Sequence, residues 1–292
     1  RLNLAQSFNP LGSIVGILTA KYAILSNINS LDGPKRAELP IEEFDAMKFS
    51  DLAIVRGPYV AIGLVIVTMF VLILVKKMPR NQDSDGSLDI GGTIGRLMAN
   101  SRYVGGVIAQ AFYVGAQIMC WTFTAQYGKG VFMADGMSAG DAATAASSFT
   151  LYSMVLFAVA RFVCTFLLKY VRPGALLMVL AVGAIGLLVP VMFVGGIVGL
   201  WALVGVSGCM SLMFPTIYGI ALDRVGDDAK LGAAGLVMAI AGGSIMPPLQ
   251  GYLIDTWSLN MSFVLPLICF VVIAIYGLLT TKPQAPLAAP AA

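Results

Sequence analysis

The stretch Ser101–Gly130 carries no charged side chain between Arg102 and Lys129, and this feature constrains the fold more than any other. An uncharged helix of that length is longer than the roughly 30 Å hydrocarbon layer of a bilayer. Of the 292 residues, 58% are hydrophobic and only 11% are charged, which lies outside the range of soluble globular proteins. The sequence therefore predicts an all-α polytopic membrane protein in contact with the lipid bilayer.

Within this stretch, polar and aromatic residues recur at steps of three and four. They therefore share one face of a helix and form a stripe made of Gln110, Tyr113, Gln117, Trp121 and Thr124. Amides facing lipid would be unsatisfied, at a cost of about several kcal/mol each. The stripe is either the wall of a pathway for a polar ligand or a surface that hydrogen-bonds to another helix. Two turns of repeated amide and aromatic groups favour the pathway.

Eight apolar segments are visible along the chain, at 4–28, 58–76, 104–127, 144–168, 175–195, 197–221, 232–254 and 262–280. An even number places both ends on the same side of the membrane. With that side as the cytoplasm, twelve Lys and Arg residues lie inside and six outside, as the positive-inside rule requires. Residues Asn29–Arg56 are then an outer loop, in which Pro40 and the following residues predict a short surface helix.

The longest inner connection, residues 77–103, contains the polar run NQDSDGS and then an amphipathic helical pattern. It predicts a cytoplasmic linker between two helix bundles, 1–76 and 104–281. The Pro/Ala-rich residues 282–292 predict a disordered tail. Because the chain opens at Arg1 rather than at a Met, we expect it to be part of a longer protein.

Two other apolar segments carry polar residues in membrane-spanning positions. In the first of the eight segments, Gln6 and Asn9 belong to a second polar face. In the sixth, Ser211 and Tyr218 share a face with Ser207 and Pro215.

The seventh segment contains Pro247 and Pro248 in its middle. Each removes a backbone donor and frees a carbonyl in the preceding turn. A helix interrupted in this way survives in a membrane only where the freed groups are buried or face a cavity. We therefore expect a bend there.

Ionisable groups are scarce inside the apolar segments. Arg161 lies about two turns from the inner end of its segment, where it either extends its side chain to the interface or pairs with an acid at a cytoplasmic gate. The chain has no histidine, and none of its fifteen acids lies in the middle of an apolar segment. A proton-driven carrier needs a protonatable group in the membrane, so coupling is absent or its residue lies outside this sequence.

The same scarcity argues against an enzyme. No acid–base pair, metal cluster or activated nucleophile is visible inside the predicted bilayer region. The four cysteines lie in apolar segments without CxxC spacing and are predicted to be core residues. The sequence predicts no cofactor, no metal and no nucleic-acid partner.

Four segments together resemble the L-fucose/proton symporter family of the major facilitator superfamily: RLNLAQSFN, AQAFYVGAQIMCW, SLMFPTIYGI and KLGAAGLVMAIAGGSIMPP. The likeness runs over nearly the whole chain. It implies a monomeric carrier of the bacterial inner membrane with two six-helix halves, of which this sequence holds helices five to twelve. Residues 77–103 then match the loop between the halves.

The resemblance also implies roles for particular residues. Gln6 and Asn9 match cavity-lining positions that contact sugar, and ARFVCTFLLKYVRP is similar, in degraded form, to the cytoplasmic gating motif, which implies a gating role for Arg161. The family's essential acids lie on its first and fourth helices, outside this sequence. Phe214 stands where a Tyr is expected, and the lost hydroxyl bears on sugar preference.

The sequence thus predicts a secondary active transporter that takes up L-fucose or a related hexose with a proton by alternating access. Amides supply paired donors and acceptors for sugar hydroxyls, and aromatic rings cover sugar C–H faces. The alternatives are a glucose/galactose or N-acetylglucosamine permease of the same family, and a passive channel. The predicted substrate-binding residues are Gln6, Asn9, Gln110, Tyr113, Gln117, Trp121, Ser211 and Tyr218, and the predicted gating residues are Arg161, Pro247 and Pro248.

Overall fold

The computed structural model describes residues 9–29, 31, 35–36, 38–76, 90–223 and 225–281, and every regular element in these ranges is helical. The helices of the first part are α1 (Asn9–Thr19, continued as a π-helix over Ala20–Leu25), α2 (Ile41–Val75), α3 (Ile90–Ala99), α4 (Ser101–Ala134), α5 (Ala139–Leu167) and α6 (Pro173–Phe193). Those of the second part are α7 (Gly196–Met210), α8 (Met213–Leu222), α9 (Ala229–Met238), α10 (Gly242–Thr256), α11 (Leu259–Ser262) and α12 (Val264–Leu279).

The predicted membrane architecture is confirmed. Across the described residues, seven helical spans are long and apolar enough to cross a bilayer, and Leu11–Leu25 is a shorter apolar helix. These eight elements correspond in order to the eight apolar segments of the sequence. The chain is a multi-pass all-α membrane protein.

Helix boundaries follow local capping chemistry. The Asn100 side chain accepts hydrogen bonds from the backbone N–H groups of Arg102 and Tyr103, at 3.1 and 3.2 Å, and so starts α4. The Ser138 hydroxyl accepts from the N–H of Asp141 at 3.2 Å and starts α5. These caps lie a few residues before the apolar segments begin, so both helices extend beyond the lengths predicted from hydropathy.

The prediction of a helix after Pro40 is confirmed, but the prediction that this helix is short and lies within a loop from Asn29 to Arg56 is wrong. Instead, α2 begins at Ile41 and runs unbroken to Val75, with Pro58 in its interior. Glu42 in its first turn suits the positive end of the helix dipole. Gly57–Pro58 reads in the sequence as a helix start, but a proline also fits inside a long helix at the cost of one hydrogen bond.

The core of the structure lies around α4, which packs against α5, α7, α8, α10 and α12. Its buried face includes Tyr113 and Met119, both without exposed surface, and these pack in one cluster with Met210 and Phe270. In contrast, the apolar window of α2 has no buried residue. Helix α4 therefore positions whatever site the bundle contains.

Three spans in the described part of the chain are interrupted, and in one of them, Leu259–Leu279, the interruption is the single turn residue Phe263 between α11 and α12. The span Gly196–Leu222 breaks at residues 211–212, between α7 and α8. The span Ala229–Thr256 departs from α-helical geometry at the 3-10 turn Ala239–Ala241. The predicted interruption at Pro247 and Pro248 is therefore wrong in position, because both prolines lie within α10. The fixed φ of proline is compatible with a helix, so the chain continues through them with two donors missing.

Candidate functional site

The predicted stripe of polar and aromatic residues does lie on one helix, α4, but its members differ in exposure. Gln110 and Tyr113 have no exposed surface and Thr124 is 1% exposed, whereas Gln117 and Trp121 are half-buried. A fully buried side chain cannot touch a solute in this conformation. The members able to face a pathway are therefore Gln117 and Trp121.

Two members of the stripe bond to α7. The Tyr113 hydroxyl donates to the backbone carbonyl of Met210 at 3.0 Å, and the Trp121 indole Nε1 donates to the Ser207 hydroxyl at 3.3 Å. The Trp121 ring also packs edge-on against Phe157, with ring centroids 5.1 Å apart. Tyr113 therefore bonds to another helix, which is the second of the two alternatives for the stripe, and Ser207 is a partner outside the predicted site residues.

Gln110 has an unusual environment. Both its amide nitrogen and its amide oxygen are buried and make no hydrogen bond to the described part of the chain. The same is true of the Ser211 hydroxyl, which also has no exposed surface. Direct sugar contact by Gln110, Tyr113 or Ser211, as predicted, is not available in this conformation because all three are enclosed by the bundle.

Arg161 is buried in α5, with 4% of its surface exposed. Its Nε donates to the backbone carbonyl of Ser211 at 2.6 Å, and its guanidinium lies over the Phe157 ring, 4.7 Å from the centroid. The alternative in which this side chain extends to the membrane interface is wrong, because its head group points into the bundle. Phe157 is absent from the residues predicted for the site, although its place four residues before Arg161 puts both on one helical face.

Aromatic rings line the start of α8. Phe214 packs edge-on against Tyr113, with centroids 6.2 Å apart, and stacks on Tyr218 at 6.5 Å with an interplanar angle of 11°. Tyr218 is half-buried. The arrangement presents an aromatic surface close to the buried end of the α4 stripe, which suits contact with the C–H faces of a sugar.

The remaining predicted residues are not joined to this cluster by a described contact. Gln6 and the side chain of Asn9 lie outside the described residues, although Asn9 begins α1. Pro247 is half-buried and Pro248 is exposed, both on α10. Within the described ranges, no group of three His, Cys, Asp or Glu side chains could hold a metal ion.

Comparison with known proteins agrees with this architecture. No family model matches the chain. It is 45% identical over 291 residues to the L-fucose-proton symporter of Haemophilus influenzae, in a match that covers 95% of this chain and 66% of that protein. It is 34% identical to the L-fucose-proton symporter of Escherichia coli, covering 95% of this chain and 63% of that protein. The chain thus spans just under two thirds of the length of these relatives.

Among solved structures, the fold is similar to that of the major facilitator superfamily transporter FucP in the outward conformation. The TM-score is 0.74 at 32% sequence identity, and the match covers 97% of this chain and 68% of FucP. The order of spans, the polar face on the central helix and the likeness in sequence and structure agree with one another. The chain belongs to the L-fucose-proton symporter family of the major facilitator superfamily.

Proposed function

We propose that this protein takes up L-fucose or a related hexose together with a proton, in the bacterial inner membrane, with both ends of the 292-residue chain in the cytoplasm. The observation that carries the proposal is the half-buried pair Gln117 and Trp121 on α4, in a stripe whose other members, Gln110, Tyr113 and Thr124, are buried. An amide that donates and accepts, one turn from an aromatic ring, matches the alternation of hydroxyl and C–H surfaces on a sugar.

The two kinds of stripe residue have different tasks in this proposal. Gln117 and Trp121 contact the sugar, and Tyr218 adds an aromatic surface from α8. Behind them, the fully buried Tyr113 fixes the position of α4 against α7 through its bond to the Met210 carbonyl, and Gln110 is enclosed beside it. Gln6 and Asn9 complete the sugar contacts from the other half of the carrier.

The mechanism is alternating access, in which two halves joined by residues 77–103 rock around a site near the middle of the membrane. Helices α1 and α2 belong to one half and α4–α12 to the other. The names of the relatives in Haemophilus influenzae and Escherichia coli include a proton, and we place the coupling carboxylate on a part of the full-length carrier outside this chain. Arg161 and the interrupted spans are the elements whose rearrangement closes the pathway.

The test is equilibrium sugar binding to the purified full-length protein. Loss of one neutral hydrogen bond should cost about 0.5–1.5 kcal/mol, so Gln117→Ala should weaken binding about two- to twelve-fold. Phe112→Ala is the matched control on the same helix, because Phe112 packs against the hydrophobic core. It should change stability more than affinity.

Membrane expression of each variant is measured in parallel, so that loss of protein is not taken for loss of affinity. Wild-type affinity in both Gln117→Ala and Trp121→Ala would show that this face only joins helices. Sugar uptake that persists after the proton gradient is collapsed would instead favour a passive channel.

A further inference from the structure

The break between α7 and α8 has a specific chemical cause. In an α-helix the carbonyl of a residue accepts a hydrogen bond from the N–H four positions later. The residue four positions after Ser211 is Pro215, which has no N–H. Pro215 stands in the first turn of α8, where its missing donor is tolerated, but the Ser211 carbonyl is left without its normal partner.

An unpaired carbonyl inside a membrane bundle is costly, since no water is available there to donate a hydrogen bond to it. Arg161 supplies the missing donor from a different helix, with its Nε 2.6 Å from the Ser211 oxygen. A hydrogen bond from a cation is stronger than one between neutral groups. The Phe157 ring below the guanidinium holds it in place.

The neighbouring carbonyls are satisfied as well. The carbonyl of Met210, the last residue of α7, accepts from the Tyr113 hydroxyl at 3.0 Å. The carbonyl of Leu212 accepts from both the N–H and the hydroxyl of Thr216, at 3.2 and 2.8 Å. Three successive carbonyls at the break therefore have donors, and two of these donors are side chains of α4 and α5.

We propose that Arg161 is a positioning residue that replaces the donor removed by Pro215 and, with Tyr113, sets the orientation of α8 relative to α7. The effect of this positioning on transport rests on the function proposed above, in which the stacked rings of Phe214 and Tyr218 on α8 face the sugar. In this role the essential feature of Arg161 is a directed N–H group. A role as a gate charge would require only the positive charge.

A double-mutant cycle in the full-length protein separates the two roles. Pro215→Ala restores an N–H four residues after Ser211. We expect Arg161→Met alone to lower the apparent Tm of the purified protein by several degrees and to weaken sugar binding. In the Pro215→Ala background, at least half of the Tm loss should disappear, because the backbone now supplies the donor.

Pro190→Ala is the matched control, since Pro190 lies inside α6, away from the break. Arg161→Met should lower the Tm by the same amount in the Pro190→Ala background as in the wild-type protein. Arg161→Lys should not restore the wild-type Tm, because a lysine keeps the charge but lacks the rigid planar donor. Tyr113→Phe should lower the Tm independently, through the Met210 carbonyl.

The proposal would be overturned if Arg161→Met lowered the Tm by the same amount in the wild-type and Pro215→Ala backgrounds. It would also be overturned if Arg161→Lys had the wild-type Tm. If Arg161→Met yields folded protein only in the Pro215→Ala background, that supports it; failure to fold in both backgrounds counts against it. The Tm cycle needs no transport activity. A rescued Tm together with no sugar uptake by the wild-type protein would therefore refute the proposed function and leave the positioning role intact.

Discussion

The contact between α10 and α4 leads to a sharp prediction at Gly242. This glycine is buried, and a Cβ placed on it would lie 2.8 Å from the carbonyl carbon of Ala111 and 3.0 Å from its Cα, with the carbonyl oxygen closer still. All three are backbone atoms in the middle of α4. A flexible side chain could move aside, but a helix backbone cannot, so the two helices would have to separate.

The size of the effect follows from two opposing terms. Overpacking a tight contact costs about 1–3 kcal/mol, and separation would also loosen the neighbouring contacts of Gly243 with Val114. Replacing glycine by alanine inside a helix returns up to about 1 kcal/mol of helix propensity. We therefore expect Gly242→Ala to destabilise the protein by about 1–2 kcal/mol.

The assay is thermal unfolding of the purified full-length protein in detergent, with Gly251→Ala as the control on the same helix. A Cβ at Gly251 meets no atom within 4 Å, so this substitution should be neutral or stabilising. If Gly242→Ala is as stable as Gly251→Ala, α10 does not lie against the backbone of α4, and the close approach of these two helices is refuted.

Helix α3 and the first helix α1 give two further predictions. Arg96 bonds both oxygens of Asp228, at 2.6 and 2.8 Å, and these bonds lower the carboxyl pKa below its usual 3.8. A carboxyl whose pKa is lowered by folding stabilises the folded state at pH values above its unfolded-state pKa, and this stabilisation is lost as the pH falls through the folded-state pKa. Hydrogen exchange in α3 should therefore stay slow at about pH 5. Arg96→Gln should make this exchange faster at the same pH. Lys21 donates to the Ser148 hydroxyl at 2.6 Å between α1 and α5. A cleavable thiol cross-linker that joins cysteines at these two positions should therefore stop uptake until it is cleaved; uptake by the cross-linked protein would contradict movement between these helices.

The number and order of the spans could be predicted from the sequence because they depend on local properties. A run of apolar residues long enough to cross the bilayer has few alternatives to a helix. The start of α2 could not be predicted, because Gly57–Pro58 is equally typical of a helix start and of the interior of a long helix. Its true start at Ile41 follows from Pro40 and Glu42, whose pattern is equally typical of a separate surface helix.

The site could be predicted only in part. Helical spacing placed Gln110, Tyr113, Gln117 and Trp121 on one face of α4, and the structure agrees. Spacing within one helix does not show what that face meets. Whether an amide or a phenol faces a pathway or another helix depends on how closely the neighbouring helix approaches. Here α7 comes close enough for its Met210 carbonyl to accept a hydrogen bond from the Tyr113 hydroxyl.

Arg161 and Pro215 show why such features need to be considered as pairs. A cation buried in a membrane helix is costly, and so is a carbonyl whose donor has been replaced by proline; taken separately, each suggests a gate or a bend. The hydrogen bond from Arg161 to Ser211 joins positions 50 residues apart, a separation that no periodicity along one helix reveals. Each group satisfies the other, so the arginine and the break between α7 and α8 form one structural unit. Replacing the two together should therefore cost less than the sum of the two single substitutions.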